Sequence, residues 1–524
     1  MAFSGLDGFT SYDNGLVART TLAPAGVEIV DPEIVRLVFD APPVGEVLFA
    51  TDHFCFQTST GPVVGVLLDA WHFLVSGAAT VTGAGGGVQV LQKDGRTLLG
   101  VKDHFTPEFI HADLDQVFAS RNRWLLKQNI PDQVHPETGR TLFRALTLMK
   151  GQVYSPEGKI RHRWTTPDRW PHKDMWLWDS AFHAIGWRHV DVPLAREMID
   201  AVLDVQQPDG LVPHRLSPKG AVSDITQPPI LGYGAKLVYE KEPDLEWLHQ
   251  LYPKLCAYIE WDFKHRDSDG AGLVEWFIEE ALECRSGESG MDNSPRFDAA
   301  VQLDAVDFNA FLALECEVLA EFANLLGHKE DVAKWTARHR KLCGLINEFL
   351  WNDQEQFYCD YDPALKRQSP VLSSAGFLPL ICGAATPEQA KALAKHLADP
   401  DMFATSFPIP SIAVRDWKNY SKDMWRGPSW VNVNWLVAQG FERYGMREHA
   451  EALRSATARE IERTCEKYGT FFEYFDDKRE VEPPQLLRKG VCEPDNCYRQ
   501  VMHEFGWTAT LYVDLIWTRE GASR

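Results

Sequence analysis

The stretch VDFNAFLALECEVLAEFANLLG, residues 306–327, decides the fold class. Its apolar residues recur at three- and four-residue steps, the period of an α-helix that buries a face. The same spacing runs through DLEWLHQLYPKLCAYIEWDFKHR (244–266), EDVAKWTARHRKLCGLINEFLW (330–351) and EHAEALRSATAREIERTCEKYG (448–469). Roughly a dozen helical segments follow residue 115, joined by connections rich in Pro, Gly, Trp and Asp. So many helices in one domain make either a solenoid or a closed ring of helix pairs. A solenoid repeats its sequence unit, and no such repeat runs here. The expectation is a mainly α protein built on a double-layered helical toroid.

Upstream the period changes. VEIVDPEIVRLVF (27–39) and VQVLQKDGRTLLGVKD (88–103) combine β-branched residues, alternation and a turn at Lys93-Asp94-Gly95, while GAGGG (83–87) reads as a loop. Residues 1–110 are therefore expected to form a small β-rich, sandwich-like domain, and residues 111–524 the helical one.

Bulk properties narrow the function. A chain of 524 residues is long enough for a large core, and its 45% hydrophobic and 24% charged content is that of a globular protein. No apolar run is long enough to cross a bilayer, and the N-terminal stretch does not read as a signal peptide, so the expected location is cytoplasmic. A net charge of −21 disfavours nucleic acid and anionic membrane as partners. A neutral saccharide remains open to it. The ten cysteines are scattered, with no Cys-x-x-Cys pair, and read as free thiols; Cys492 and Cys497 are the one pair near enough in sequence to be considered for a bridge. No metal site and no cofactor are implied: there is no compact ligand cluster and no glycine-rich phosphate loop followed by Lys. The 18 tryptophans fill cores or form platforms for sugar rings.

Helical scaffolds carry function on their connections. PHKDMWLWDSAFHAIGW (171–187) offers Trp176, Trp178 and Asp179 as pocket walls, although Asp179 or Ser180 also serves as a helix cap. QQPDGLVPHRLSP (206–218) holds a plain turn flanked by Gln207 and His214. In ESGMDNSPRF (288–297), Ser294-Pro295 reads as a cap and first-turn proline, which leaves Asp292 and Arg296 as either an ion pair or site residues. YSKDMWRGPSWVNVNW (420–435) sets Trp425, Arg426 and Trp430 around a Gly-Pro turn, and GTFFEYFDD (469–477) places Glu473 among aromatics in a short extended segment. Two carboxylic acids amid aromatics are the inventory of an inverting glycosidase. One protonates the leaving oxygen and the other activates water, across a gap of about 6.5–9.5 Å.

Taken in order, KDMWLWDSAFHAIG, QPDGLVPH, ESGMDNSPRF, FPIPSIAVRDW, DMWRGPSWVNVNWL, FFEYFDD and FGWTATL resemble glycoside hydrolase family 63, a relative of the family 37 trehalases, over residues 165–517. The resemblance implies an (α/α)6 barrel that inverts configuration at α-glycosidic bonds. It implies Asp292 as general acid and Glu473 as general base. Trp176, Trp178 and Asp179 would line the subsite of the departing sugar, with Gln207, Trp425, Arg426, Trp430 and Trp507 as further pocket residues. The expected activity is an exo-acting inverting α-glucosidase on a small saccharide or glucoside. The alternatives are an α-mannoside or glycosylglycerate hydrolase, a glycoside phosphorylase, or a sugar-binding protein without activity. An anionic aglycone would require a cation near the acceptor subsite, for which Arg215, Lys219 and Arg285 stand in sequence reach. One departure from the family pattern is plain. After Glu473 the chain does not run towards Thr-Gly but through DDKREVEPPQLLRKGVCEPDNCYRQVMHEFGW (476–507).

Overall fold

A computed structural model describes residues 1–521 except 23, 84, 129 and 131–133. The chain divides into two compact units, Met1–Lys173 and Asp174–Arg524.

The first unit holds ten main strands: β1 (Val17–Leu22), β2 (Ala25–Asp31), β3 (Val35–Phe39), β4 (Val44–Phe49), β5 (His53–Thr58), β6 (Gly61–Leu67), β7 (His72–Ser76), β8 (Ala79–Thr82), β9 (Val88–Lys93) and β10 (Arg96–Val101). They form two antiparallel sheets, ordered β1-β2-β3-β8 and β4-β5-β6-β7-β10-β9. One apolar core takes Val27, Ile29 and Leu37 from the first sheet and Phe54, Phe73 and Leu99 from the second. Alternation sets β3: Val35, Leu37 and Phe39 point inward, while Arg36 faces Glu28 across the ladder, 2.7 Å away. The Lys93-Asp94-Gly95 signal is realised as a two-residue hairpin turn between β9 and β10. Asp94 (φ 49°) and Gly95 (φ 74°) both take the left-handed backbone that the strand twist requires. Position 84 of the GAGGG stretch lies outside the described residues. Two helices follow in the same unit, α1 (Leu114–Leu126), capped by Asp113, and α2 (Pro136–Gly151).

The second unit carries α3 (Leu177–Trp187), α4 (Val192–Asp204), α5 (Leu231–Lys241), α6 (Leu245–His265), α7 (Val306–Leu326), α8 (Lys329–Leu345), α9 (Pro387–Leu397), α10 (Val431–Arg443), α11 (Arg447–Tyr468) and α12 (Gly506–Gly521). Twelve α-helices are thus present among the described residues. Burial sorts those of the second unit into two kinds. α3, α7 and α10 are buried nearly all round. α8 buries only Trp335 and Leu342, a single stripe. The enclosed elements pack in sequence: α3 on α5, α5 on α7, α7 on the 3₁₀ segment Ser374–Leu380, that segment on α10, α10 on α12, and α12 back on α3. α7 ends where Gly327, at φ 79°, takes the left-handed conformation that closes a helix. No helix among the described residues is long and apolar enough to cross a membrane.

Candidate active site

The connections preceding α3, α7, α10 and α12 come together around one set of aromatic rings. Trp178, in the first turn of α3, meets Trp507 of α12 edge to face at 5.2 Å. Trp507 lies 5.9 Å from Trp430, which caps α10 and stacks flat on Trp425 at 3.8 Å. Trp430 also contacts Tyr474, the neighbour of Glu473, at 4.8 Å. These rings are buried, and Nε1 of Trp425 and of Trp507 has no hydrogen-bond partner within the protein. Buried indole donors of that kind are ready for a ligand oxygen.

Asp292 is brought to this cluster by its own loop. Gly290, at φ 69°, lies so close to the Trp178 ring that a Cβ there would sit 2.5 Å from it. Asn293 accepts a hydrogen bond from the Trp425 peptide N–H at 3.0 Å. Arg426 pairs with Asp298, so it ties the 420–430 loop to the 288–298 loop from its outer side. Ser294 precedes a 3₁₀ turn with Pro295 at its first position, but the serine side chain makes no capping bond. The Asp292 carboxyl is about a quarter exposed, and Lys489 Nζ stands 3.6 Å away. Burial, with Asp292 beside it, pushes the Cys284 thiol up.

Glu473 lies in an extended segment bridged at both ends, Phe475 to Ser429 and Phe472 to His503. Its peptide N–H donates to Met502 O at 3.0 Å. The alternation of FFEYF is therefore that of a strand-like segment, although it joins no named sheet. The Glu473 carboxylate forms a buried ion pair with Arg488. Burial opposes the charge of Arg488, yet Glu473, Tyr474 and Asp292 around it hold its pKa above the ordinary value.

Other expected site residues have distinct places. Trp176 packs edge to face on His214 at 5.1 Å, and Asp179 is buried in the first turn of α3. The His214 pKa is lowered to about 4, by burial first and by Arg215 second, so its ring is neutral at neutral pH. Gln207 turns its amide back on its own chain, donating to Val205 O at 3.1 Å. Arg296, expected at the sugar, is engaged in an internal ion-pair network. Its fully buried guanidinium donates to both carboxylate oxygens of Asp307 and both of Asp360, which leaves no free face for a sugar. The ion pair of Arg296 is thus with Asp307 and Asp360 and not with Asp292, the partner that the sequence left open. Cys492 and Cys497 are free thiols, as are the other eight cysteines.

Arg488 and Lys489 are what sequence reasoning missed. They occupy a tight turn in the departing segment, closed by Arg488 N–H to Val491 O at 2.7 Å, with Lys489 (φ 52°) and Gly490 (φ 82°) both left-handed. The signal was present as Arg-Lys-Gly in a stretch without helical or strand period. Its neighbourhood was not.

The family described as mannosylglycerate hydrolase MGH1-like glycoside hydrolase domain matches residues 171–508. The mannosylglycerate hydrolase of Thermus thermophilus is 29% identical over 400 residues, 60% of this chain and 92% of the relative. The glucosylglycerate hydrolase of Mycolicibacterium hassiacum is 24% identical over 411 residues, 59% of this chain and 87% of the relative. Among solved structures, the family 63 mannosylglycerate hydrolase of Thermus thermophilus, in complex with Tris and D-glycerate, superposes with a TM-score of 0.58. It is 26% identical and covers 73% of this chain and 100% of its own. A helical scaffold with these relatives defines a glycoside hydrolase. The chain belongs to glycoside hydrolase family 63, on the side of the MGH1-like enzymes.

Proposed function

We propose that the protein is an inverting α-glycosidase that cleaves a glycosylglycerate, with mannose or glucose as the departing sugar. The observation that carries the reading is the similarity, over most of each relative's length, to both a mannosylglycerate and a glucosylglycerate hydrolase. Motif resemblance alone favours an α-glucosidase; the relatives favour its alternative. Asp292 acts as general acid on the leaving oxygen, and Glu473 as the base that activates water on the opposite face of the sugar. Partial exposure suits a residue that must reach the glycosidic oxygen, and a buried cation beside Glu473 suits a base that must stay ionised. Trp178, Trp425, Trp430 and Trp507 wall the sugar subsite. The packing order that returns from α12 to α3 supports an (α/α)6 barrel around it, and the core shared by two sheets supports a β-sandwich in the first unit.

The test is hydrolysis of α-mannosylglycerate and α-glucosylglycerate, followed by proton NMR. We expect one or both to be cleaved with the β-anomer of the sugar appearing first. α-Anomer appearing first removes the general-base role from Glu473. Cleavage of neutral α-disaccharides with both glycerate glycosides intact returns the reading to an α-glucosidase.

A further inference from the structure

The segment after Glu473 leaves the family pattern, yet it is firmly held against the site. Asp423, of the DMWRGP motif, accepts the Gly490 N–H at 2.8 Å, and the Lys489 N–H as well. Leu487 N–H donates to Lys422 O at 2.9 Å, and its carbonyl accepts Tyr474 OH at 2.5 Å. The turn is thereby fixed from both site loops. Its two cations point at the two acids: Arg488 to Glu473, Lys489 to Asp292. Lys489 keeps a left-handed backbone that a non-glycine residue adopts at some cost.

This arrangement suits a neutral substrate poorly. Lys489 Nζ stands 3.6 Å from Asp292 and Arg488 pairs with Glu473, so positive charge borders both acids. A carboxylate arriving between the two cations would cancel that field. It would also share Arg488 with Glu473. The general acid touches the leaving oxygen, so whatever borders the acid borders the aglycone. In a 2-O-glycosyl glycerate the carboxylate is bonded to the very carbon that carries the glycosidic oxygen, which places it beside Asp292. We propose that Arg488 and Lys489 together form the receptor for the aglycone carboxylate and set the preference for anionic over neutral glycosides. Arg215, Lys219 and Arg285 are then not needed for it; Arg285 already donates to the Glu279 and Ala300 carbonyls.

The inference rests on the glycosylglycerate reading, and the experiment separates the two. kcat/KM is measured for the glycosylglycerate and for its neutral counterpart, the 2-O-glycosyl glycerol, in the wild type, Lys489→Asn, Lys489→Arg and Arg488→Gln. Asn tolerates the left-handed backbone, so Lys489→Asn tests charge with the turn intact. We expect the glycerate-to-glycerol ratio to fall roughly 10- to 100-fold in Lys489→Asn, as for loss of one charged hydrogen bond, and to be restored in Lys489→Arg. Calorimetric binding of D-glycerate is expected to weaken in parallel. A wild type that cleaves the glycosylglycerate while Lys489→Asn and Arg488→Gln keep its ratio overturns the inference and leaves the function standing. A wild type that cleaves only the neutral glycoside overturns both. Glycosyl phosphate formed on addition of inorganic phosphate would assign the cations to phosphate instead.

Discussion

Asp292 and Arg296 stand four residues apart and do unrelated work. The first is partly exposed beside Lys489; the second is sealed between Asp307 and Asp360. Substitution separates them. Asp292→Asn and Glu473→Gln are expected to lower kcat roughly 10²–10⁴-fold on the glycoside the enzyme cleaves, with the thermal midpoint held in Asp292→Asn. Arg296→Met is expected to do the reverse, losing about 3–5 kcal/mol in chemical denaturation because two buried carboxylates lose their partner. Normal turnover in either acid variant would end its assignment, and an unshifted denaturation curve would end that of Arg296. The sequence could not separate these residues: Arg296's partners are 11 and 64 residues away, on a helix and a loop whose meeting no local pattern records.

Among the elements, what periodicity can express was legible. α7 and the β9–β10 turn lie where spacing and turn chemistry put them, because each is set by neighbours within a few residues. The site loops are different. Their motifs could be quoted, but their convergence depends on close contacts such as Gly290 against Trp178. Gly290→Ala tests that dependence. The Cβ would require both a left-handed alanine and a displaced indole already packed on Trp507. We expect about 1–3 kcal/mol of destabilisation and at least about a tenfold drop in kcat, as the loop carrying Asp292 shifts. Full activity would show that the loop tolerates the shift. The turn at 488–491 was the least legible element, since its anchors, Asp423 and Tyr474, lie in two other motifs.

Over the whole molecule, several acids are held protonated by burial. The pKa of Glu315 is raised to about 8 by burial, against the pull of the Tyr233 and Gly232 N–H groups. Asp304 is raised to about 8 by burial and by Glu275. Asp477 is raised to about 7 by burial, although Tyr420 donates to it. All three bind their proton more tightly folded than unfolded. The stability they contribute is complete below the ordinary carboxylate range and is lost as pH rises through about 7–8. The thermal midpoint should therefore fall as the pH is raised from about 6 to about 9, and Glu315→Gln should flatten that fall. A midpoint that rises over the same interval would contradict the burial of these protons.

The contact of Trp178 with Trp507 joins the first helix of the second unit to its last. Because ribosomes build the chain from its N-terminus, this aromatic cluster cannot exist until nearly all of that unit has been synthesised. During translation the face of α3 that meets α12 must wait, uncovered, for a partner more than three hundred residues downstream, although α4 and α5 cover its other sides early. Activity therefore arrives late and all at once. A nascent chain stalled before residue 507 should bind chaperones through α3 and hydrolyse nothing.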